Sequence, residues 1–455
     1  MGSVLFSAFF FILTLGILIT FHEFGHFWVA RKLGVKVLRF SVGFGRPLWR
    51  RVSGPDRTEY VIAALPFGGY VKMLDEREGE VPEEELPRAF NRQPLARRTA
   101  IVAAGPVFNF ILAVAVYWLV FMLGIGGYKP IVESVAPDSL AAEGGFQSND
   151  LILEVNGKPV KSWNSAVLAL VDSALQGTVV AVKVRTEEGS EVERTLVMRS
   201  VSAQLDRGNL LETVGITPRR VKIPPVIDRL TPGGAAEAAG LQPGDVILTA
   251  NGEPVHDWAA WVEIVRAHPE QALEVEVERD GRVLRLMLTP DAVQGDGAVI
   301  GRIGARVAPP PKALLEELTV IERYGVLESL IKAGKKTWEV SLLTLKMLQQ
   351  MLLGDVSLSN LSGPISIAQY AGDSASIGLV PFLVFLAIVS ISLGVLNLLP
   401  IPILDGGHLL YYLIEFIKGS PVSAEAEAMG QKIGIAVILL LMTVAFYNDL
   451  ARVFR

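Results

Sequence analysis

Four long apolar stretches constrain the fold of this chain more than any other feature of its sequence. They lie at roughly Val4–Ala30, Thr99–Leu123, Leu379–Leu399 and Ile433–Tyr447. A membrane-spanning helix needs about 20 apolar residues, so the first three are long enough, and the fourth becomes long enough if it begins near Met429. Because charged residues still make up 20% of the chain, a polar part must accompany the membrane part. The sequence therefore predicts a polytopic α-helical membrane protein with four transmembrane helices.

The distribution of Lys and Arg indicates how these spans are oriented. Residues 31–98, between the first two spans, carry 14 Lys and Arg against 9 Asp and Glu, and such an excess is typical of cytoplasmic loops. We therefore expect the N-terminus and residues 124–378 to lie on the outer side of the membrane. Because the number of spans is even, the C-terminus is expected on the same outer side. Arg452 and Arg455 lie there and are exceptions to the excess of Lys and Arg on the cytoplasmic side.

The outer segment contains an internal repeat. Residues 136–163 align without gaps on residues 231–258, and each copy has an Asn-Gly pair between apolar runs, which predicts a β-hairpin. The copies resemble PDZ domains of the bacterial, circularly permuted kind, at about 128–218 and 222–308, although the first reads GFQSND where the second reads GLQPGD. We expect two tandem α+β domains between spans 2 and 3. PDZ domains bind extended peptides by strand addition, and the alternative is a pair of spacers without a ligand.

A potential metal site lies inside the first apolar stretch. The motif His22-Glu23-x-x-His26 places two imidazoles on one face of a helix, because residues i and i+4 share a face. The two imidazoles can bind one Zn²⁺, with Glu23 as general base. Two His and a Glu within a span are costly unless they line a polar cavity, which argues against a chance match. Cys is absent from the chain, so disulfides and Cys-ligated metals are excluded.

A catalytic zinc also needs a third protein ligand and an open position for water. Asp405 follows the third apolar stretch, in GVLNLLPIPILDGGHLLYYL. A carboxylate at membrane depth costs about 2.5–3.5 kcal/mol, so it requires a partner such as zinc. The preceding prolines break a helix, and Gly406 and Gly407 are expected to allow a tight turn. His408 is the alternative ligand, and otherwise it is expected to pack beside the site.

Together these motifs resemble the site-2 protease family of intramembrane zinc endopeptidases. The resemblance rests on H-E-x-x-H in the first span, on N-x-x-P-x-P-x-L-D-G at 397–406 and on the two outer repeats. Gly-Pro-Val-Phe-Asn at 105–109 fits a further signature of the family, with small-residue helix packing as the alternative. The roles that the resemblance implies are zinc ligation by His22, His26 and Asp405 and general base catalysis by Glu23. For Asn397 it implies substrate binding or stabilisation of the transition state.

The resemblance also implies where the protein acts and on what. We expect a location in the bacterial inner membrane and single-span membrane proteins as substrates. The expected substrate is an anti-sigma factor already trimmed on its outer side, as in envelope stress signalling, and remnant signal peptides are a further class; no nucleic acid is expected to bind. One alternative is a membrane-anchored PDZ adaptor with a vestigial zinc site, which would keep the repeats but lack Glu23 or one of the metal ligands. The other is a membrane-anchored zinc protease of soluble substrates, which would carry H-E-x-x-H in a polar domain.

Two segments beside the first span look like strands. Residues 36–51 and 58–73 alternate partly and contain paired or closely spaced Gly residues. The family resemblance implies a membrane-associated β-hairpin that pairs with the extended substrate, since an exposed edge supplies the hydrogen bonds that a helix loses on unwinding. The alternative is a cytoplasmic β-loop that only packs against the helices. The candidate substrate-binding residues of this hairpin are Gly68, Gly69, Tyr70 and Val71.

The expected organisation has five parts. Residues 1–127 and 379–455 form the membrane protease domain, with spans 1 and 2 in the first part and spans 3 and 4 in the second. Between them lie PDZ-like domains at 128–218 and 222–308 and amphipathic helices at 309–378, which connect the domains or gate the site. We expect the two repeats to act as an outer filter that excludes substrates with bulky outer domains, with peptide capture as the alternative.

Overall fold

Each of the four apolar stretches forms a helix that is long and apolar enough to cross a membrane. The prediction of four spans in a polytopic membrane protein is therefore confirmed. The fourth helix begins well before the predicted Ile433, because the preceding Ala, Glu, Met and Gln residues favour helix and extend it at its polar end. The helices are Val4–Lys32, Leu95–Leu123, Leu379–Asn397 and Glu425–Arg452, with mean hydropathies of 2.6, 2.2, 2.7 and 2.0.

Two units make up the chain, and one interrupts the sequence of the other. The first comprises Met1–Ile125 and Arg323–Arg455, and the second comprises Gly126–Glu322. All four spans belong to the first unit. The computed structural model describes residues 2–176, 179–197, 210–294, 299–353 and 362–453.

The N-terminal part of the first unit joins two spans through a β-hairpin. Its elements are α1 (Gly2–Lys32), β1 (Val37–Ser53), β2 (Thr58–Met73), a 3₁₀ helix (Glu83–Arg88) and α2 (Leu95–Leu123). The hairpin folds back on itself, because Phe40 of β1 pairs with both Val71 and Tyr60 of β2. The aromatic ring of Phe27 on α1 packs between Phe40 and Tyr60, with ring centroids 5.3 and 5.9 Å apart. This contact fixes the sheet beside the first span.

The fold-back leaves the end of β2 at an outer edge of this small sheet. Residues 69–73 pair with residues 37–42 on one side. Among the described residues, β2 has no strand partner other than β1. The backbone on the other side of residues 69–73 is therefore a sheet edge.

The second unit contains two similar subdomains in tandem. The first is built from β3 (Ile125–Tyr128), β4 (Val132–Val135), α3 (Leu140–Glu143), β5 (Leu151–Val155), β6 (Lys158–Pro159), α4 (Trp163–Gln176), β7 (Val179–Arg185), β8 (Glu191–Val197), α5 (Leu210–Val214) and β9 (Ile216–Pro218). The second continues with β10 (Ile227–Leu230), α6 (Ala235–Ala238), β11 (Val246–Ala250), β12 (Glu253–Pro254), α7 (Trp258–Ala267), β13 (Leu273–Arg279), β14 (Arg282–Leu288), β15 (Asp291–Gln294), β16 (Val299–Arg302) and β17 (Ala305–Val307). Short elements α8 (Lys312–Leu318) and β18 (Thr319–Glu322) complete the unit, and β18 pairs with β3.

The sequence repeat corresponds to a repeated topology. The larger sheets have the strand orders β6-β5-β7-β8 and β12-β11-β13-β14, and each is accompanied by a small pair, β4-β9 or β10-β17. In each copy the hairpin turn places an Asn at positive φ, 46° at Asn156 and 51° at Asn251, which is the conformation that the Asn-Gly pair predicts. Each copy has its own apolar core.

The C-terminal part of the first unit consists of helices. They are α9 (Val326–Leu353), α10 (Pro364–Ile377), α11 (Leu379–Asn397), α12 (Asp405–Lys418) and α13 (Ala424–Val453). The second span, α2, packs against α1, α9, α11 and α12. The core around it includes Leu18, Leu112, Ala113, Tyr117, Leu386 and Ile391.

A buried carboxylate joins the fourth span to α10. Asp449 of α13 is 1% exposed. Its oxygens accept hydrogen bonds from the backbone amides of Gly363, Ile365 and Ser366 and from the Ser366 hydroxyl, at 2.5–3.1 Å. The carboxylate therefore satisfies amides that the first turn of a helix leaves without partners.

Candidate metal centre

The predicted His and Glu residues lie in the C-terminal half of α1. His22 and His26 occupy successive turns of one face, and their ring centroids are 5.0 Å apart. Their side chains are 13% and 12% exposed. The helix thus presents two imidazoles at the same point, as i and i+4 residues do.

Asp405 reaches this point from the far end of the chain through a break between two helices. The third span ends at Asn397, and a non-helical segment containing both prolines leads to α12, which begins at Asp405. Ile403 in this segment has φ +99°, a strained value for a β-branched residue. The break allows the carboxylate to enter the bundle at the start of a new helix.

The prediction of a tight turn at Gly406 and Gly407 was wrong. Both residues lie in the first turn of α12 and are buried. A Cβ at Gly406 would lie 2.1 Å from the carbonyl oxygen of Leu399, and one at Gly407 would lie 2.5 Å from that of Ile401. The two glycines therefore let the preceding segment pass directly against the helix, which local sequence does not reveal.

Three potential ligand atoms converge at the centre. Nε2 of His22 and Nε2 of His26 lie 3.2 and 3.5 Å from Oδ2 of Asp405, and the two nitrogens are 3.3 Å apart. Although it is buried and close to both rings, Asp405 Oδ2 has no hydrogen bond of acceptable geometry. The three atoms therefore lie close enough together to bind a single metal ion.

A cavity of about 690 Å³ connects this centre with most of the other predicted site residues. Eight of the nine predicted residues line it, and the ninth, Gly68, lies beside it against the ring of Phe44. Those eight are His22, Glu23, His26, Gly69, Tyr70, Val71, Asn397 and Asp405. The structure therefore brings together groups from α1, from the hairpin and from both ends of the break after the third span.

Comparison with known proteins identifies the family to which this arrangement belongs. The model of peptidase family M50 matches residues 10–441. The chain belongs to peptidase family M50. Over 445 residues it is 44% identical to the regulator of sigma-E protease RseP of Escherichia coli (strain K12), covering 97% of this chain and 98% of that one.

Two further relatives give the same result. One, protease RseP of Yersinia pestis, is 44% identical over 459 residues, which cover 99% of this chain and 100% of that one. A relative in Vibrio cholerae serotype O1 carries the name of a zinc metalloprotease and is 43% identical over 99% of this chain and 100% of its own. This M50 peptidase is a zinc metalloendopeptidase of the membrane that acts in regulated intramembrane proteolysis, so the predicted enzyme class and cofactor are confirmed.

The donor atoms of the M50 peptidase fit a zinc ion. Zinc binds His nitrogen at about 2.0–2.1 Å and carboxylate oxygen at about 2.0–2.2 Å in a tetrahedral arrangement, so its ligand atoms lie roughly 3.3–3.5 Å apart. The three separations of 3.2, 3.3 and 3.5 Å agree with this spacing. An Asp oxygen without a hydrogen bond and two His nitrogens are the kind of mixed N and O donor set that catalytic zinc sites use.

The other candidate ligand, His408, lies outside this group. Among the described residues, one group could hold a metal ion, and it consists of His22, His26 and Asp405. The ligand atoms of these three residues all lie within 4.8 Å of one another. His408 follows Asp405 by almost one turn of α12 and lines the same cavity, with its ring 6.3 Å from that of Tyr411. This position favours the packing role over the ligand role.

The second span packs directly against the two imidazoles. Gly105 of α2 faces the two imidazoles, since a Cβ at this position would lie 2.2 Å from Nε2 of His26 and 2.8 Å from Cε1 of His22. Nδ1 of His26 lies 2.8 Å from the carbonyl oxygen of Ile101, which accepts its hydrogen bond. The spacing of small residues on this span therefore serves the metal centre as well as helix packing.

Sequence reasoning missed several polar residues of α2 and α12 that line the cavity. Arg98 of α2 forms two hydrogen bonds with Glu415 of α12, at 2.6 and 3.2 Å, and both side chains are only 16–17% exposed. The Arg98 guanidinium also lies over the ring of Tyr412, 5.0 Å from its centroid. Asp405, His408, Tyr412 and Glu415 recur at intervals of three or four along α12, and this polar stripe is the signal that could have revealed them.

Proposed function

We propose that His22, His26 and Asp405 hold the catalytic zinc of this M50 peptidase and that Glu23 is its general base. The observation that carries the proposal is the convergence of three ligand atoms, 3.2–3.5 Å apart, in the cavity that Glu23 also lines. Zinc in this position would act as a Lewis acid, activating water and polarising the scissile carbonyl.

Different residues of the chain have different roles in hydrolysis. Glu23 accepts a proton as water attacks the carbonyl carbon, and it returns that proton to the amine nitrogen as the peptide bond breaks. Asn397 lines the same cavity at the end of the third span, and its proposed role is to bind the substrate or to stabilise the transition state. The surrounding helices exclude lipid, so water and the extended peptide meet in a polar enclosure within the membrane.

Two substitutions separate the base from the ligands. Glu23→Gln should abolish cleavage of a model single-span substrate while zinc remains bound, because it removes the proton acceptor and keeps both imidazoles. Asp405→Ala should lower zinc content and activity together. His408→Ala is the matched control, and it should keep zinc. Full zinc in the Asp405 variant with loss in the His408 variant would reverse the choice of ligand.

The substrate class that we propose is a single-span membrane protein. The Escherichia coli relative is named for the regulation of sigma-E, which supports an anti-sigma factor already trimmed on its outer side as the substrate here, with remnant signal peptides as a second class. The test is cleavage of a purified single-span anti-sigma factor in trimmed and untrimmed forms. Cleavage of soluble peptides at an equal rate would contradict the proposal.

The hairpin offers a place where an unwound substrate can pair. Residues 69–73 form a sheet edge, and Gly69 lies so close to α1 that a Cβ there would approach Cγ of Glu23 to 2.8 Å. We propose that the substrate adds to this edge as a strand, which replaces the hydrogen bonds of its helix and brings its backbone to the general base.

Proline scanning of this edge tests the pairing. Pro at Tyr70 or Val71 should impair cleavage more than Ala at the same position, because Pro removes a backbone donor and fixes φ. Equal effects of Pro and Ala, in variants shown to be folded, would leave the hairpin with a packing role only.

The orientation and the role of the second unit complete the proposal. We place the N- and C-termini and the two tandem subdomains, interpreted as PDZ-like domains, in the periplasm, on the basis of the basic residues at 31–98. Their proposed role is to exclude untrimmed substrates by size. Deleting residues 128–308 should then permit cleavage of untrimmed substrates and leave trimmed ones cleaved about as before.

Peptide capture is the competing account of the second unit. The second subdomain has a groove of about 600 Å³ between α7 and the segments 229–232 and 300–306, with Trp258 and Trp261 in its lining, which is a shape that can receive an extended peptide. If the deletion raises KM for trimmed substrates and untrimmed ones are still rejected, capture is correct and filtering is wrong.

A further inference from the structure

The Asn109 side chain lies directly behind one of the proposed zinc ligands. It is one turn beyond Gly105 on α2 and is fully buried. Its amide nitrogen is 3.1 Å from Nδ1 of His22, the ring nitrogen that points away from the metal centre. Asn109 does not line the catalytic cavity, so its contact is with the ligand and not with the substrate.

The chemistry of a metal-binding imidazole determines what this contact must be. A neutral imidazole carries one proton, and binding a metal through Nε2 requires that proton to be on Nδ1. Each His ligand therefore needs a hydrogen-bond acceptor at Nδ1. For His26 that acceptor is the backbone carbonyl oxygen of Ile101, at 2.8 Å. For His22, the group within hydrogen-bond distance of Nδ1 is the Asn109 amide.

The requirement for an acceptor at Nδ1 decides which end of the amide meets the ring. The amide oxygen of Asn109 is buried and has no hydrogen-bond partner, while the nitrogen faces His22. In that arrangement Nδ1 would have to accept, and the imidazole proton would occupy Nε2, where the metal binds. Turning the amide by about 180° exchanges two groups of nearly equal size. The oxygen then accepts from Nδ1–H, which leaves the Nε2 lone pair free for a metal, and the amide NH2 takes the place that the oxygen had.

The backbone at this position is also held in place. The hydroxyl of Ser390 on α11 donates a hydrogen bond to the backbone carbonyl of Asn109, at 2.8 Å, and both residues are fully buried. The third span thus anchors the turn of α2 that carries the amide.

We propose that Asn109 is a positioning residue whose side-chain oxygen accepts a hydrogen bond from Nδ1–H of His22. This bond selects the tautomer that can bind zinc and fixes the orientation of the ring. The inference rests on the proposed ligand set of His22, His26 and Asp405. Asn109, the last residue of the Gly-Pro-Val-Phe-Asn signature, therefore contributes to metal affinity. This role differs from substrate binding and from general helix packing.

The test measures how fast zinc leaves the full-length protein in detergent when a chelator is added. Asn109→Leu keeps the approximate shape and removes the acceptor. It should lose zinc about 10–100-fold faster than the wild type, in line with the loss of affinity that follows removal of a partner behind a metal ligand. Asn109→Asp keeps an oxygen acceptor and should hold zinc at least as tightly as the wild type. Asn109→Ala removes the amide and puts no bulky side chain in its place, and it should lose zinc as fast as the Leu variant.

Ser390→Ala is the comparison variant: it loses a buried hydrogen bond to the backbone of the same turn but keeps the Asn109 amide itself, so it should retain clearly more zinc than the Leu and Ala variants. The thermal stability of each metal-free variant shows whether a loss reflects folding. Zinc retention by the Leu and Ala variants would overturn the inference, and so would equal zinc loss by the Asp variant in a folded protein. Full retention by Asp405→Ala, measured in parallel, would instead refute the ligand set on which the inference rests.

Discussion

Adding one methyl group to the second span should disable the metal centre. In Gly105→Ala the new Cβ would lie 2.2 Å from Nε2 and 2.6 Å from Cε1 of His26. Non-bonded carbon contacts are ordinarily about 3.5 Å or longer, so the imidazole must retreat by roughly 1.3 Å. Ligand distances in a zinc site tolerate only about 0.2 Å, and misplacement by about 1 Å can cost about 100-fold in rate. We therefore expect at least a 100-fold fall in kcat/KM together with weaker zinc binding.

Gly16→Ala is the control for this experiment. Gly16 also lies inside a span, but a Cβ there would meet nothing within 4 Å. The assay is cleavage of a trimmed single-span substrate in detergent, with zinc content measured on the same preparations. Gly16→Ala should behave as wild type in both measurements. If Gly105→Ala also keeps its zinc and cleaves within about threefold of wild type, the close approach of α2 to the imidazoles does not constrain the centre.

Three further predictions concern the supporting structure. Asp449→Ala leaves buried amides at the start of α10 without an acceptor, so it should destabilise the protein by about 1–3 kcal/mol in thermal or denaturant unfolding; an unchanged unfolding midpoint would contradict this. Arg98→Ala and Glu415→Ala should show a coupling of about 1–2 kcal/mol in a double-mutant cycle for stability, and additive losses would show that this ion pair does not hold α12 to α2. Burial tends to raise the pKa of Asp245, but hydrogen bonds from Arg279 and a backbone amide outweigh it and hold the pKa below its usual value. The stability that this carboxylate contributes is therefore present at neutral pH and is lost as the pH falls through the lowered pKa. Asp245→Asn should unfold more easily than the wild type at pH 7, and the stabilities of the two proteins should become equal in acid.

The sequence alone predicted the features that depend on local patterns. Four apolar runs of span length predicted four membrane helices, because a bilayer requires about 20 apolar residues with every backbone group paired within the helix. The i and i+4 spacing of His22 and His26 predicted that they share a face, since that spacing is a property of any α-helix. The offset of 95 residues between the repeats predicted two similar subdomains, and the Asn-Gly pairs predicted their turns.

Only the tertiary structure decided which distant residues complete the centre and what supports it. The sequence predicts Asp405 as the third ligand with His408 as the alternative, and it is the packing of α12 against α2 that places the Asp405 oxygen 3.2 Å from His22. The Gly-Gly pair was misassigned because the backbone that it accommodates comes from outside the helix. Asn109 and Gly105 could only be linked to the imidazoles once α1 and α2 were seen in contact. Periodicity describes one element at a time, whereas a ligand set depends on how several elements pack together.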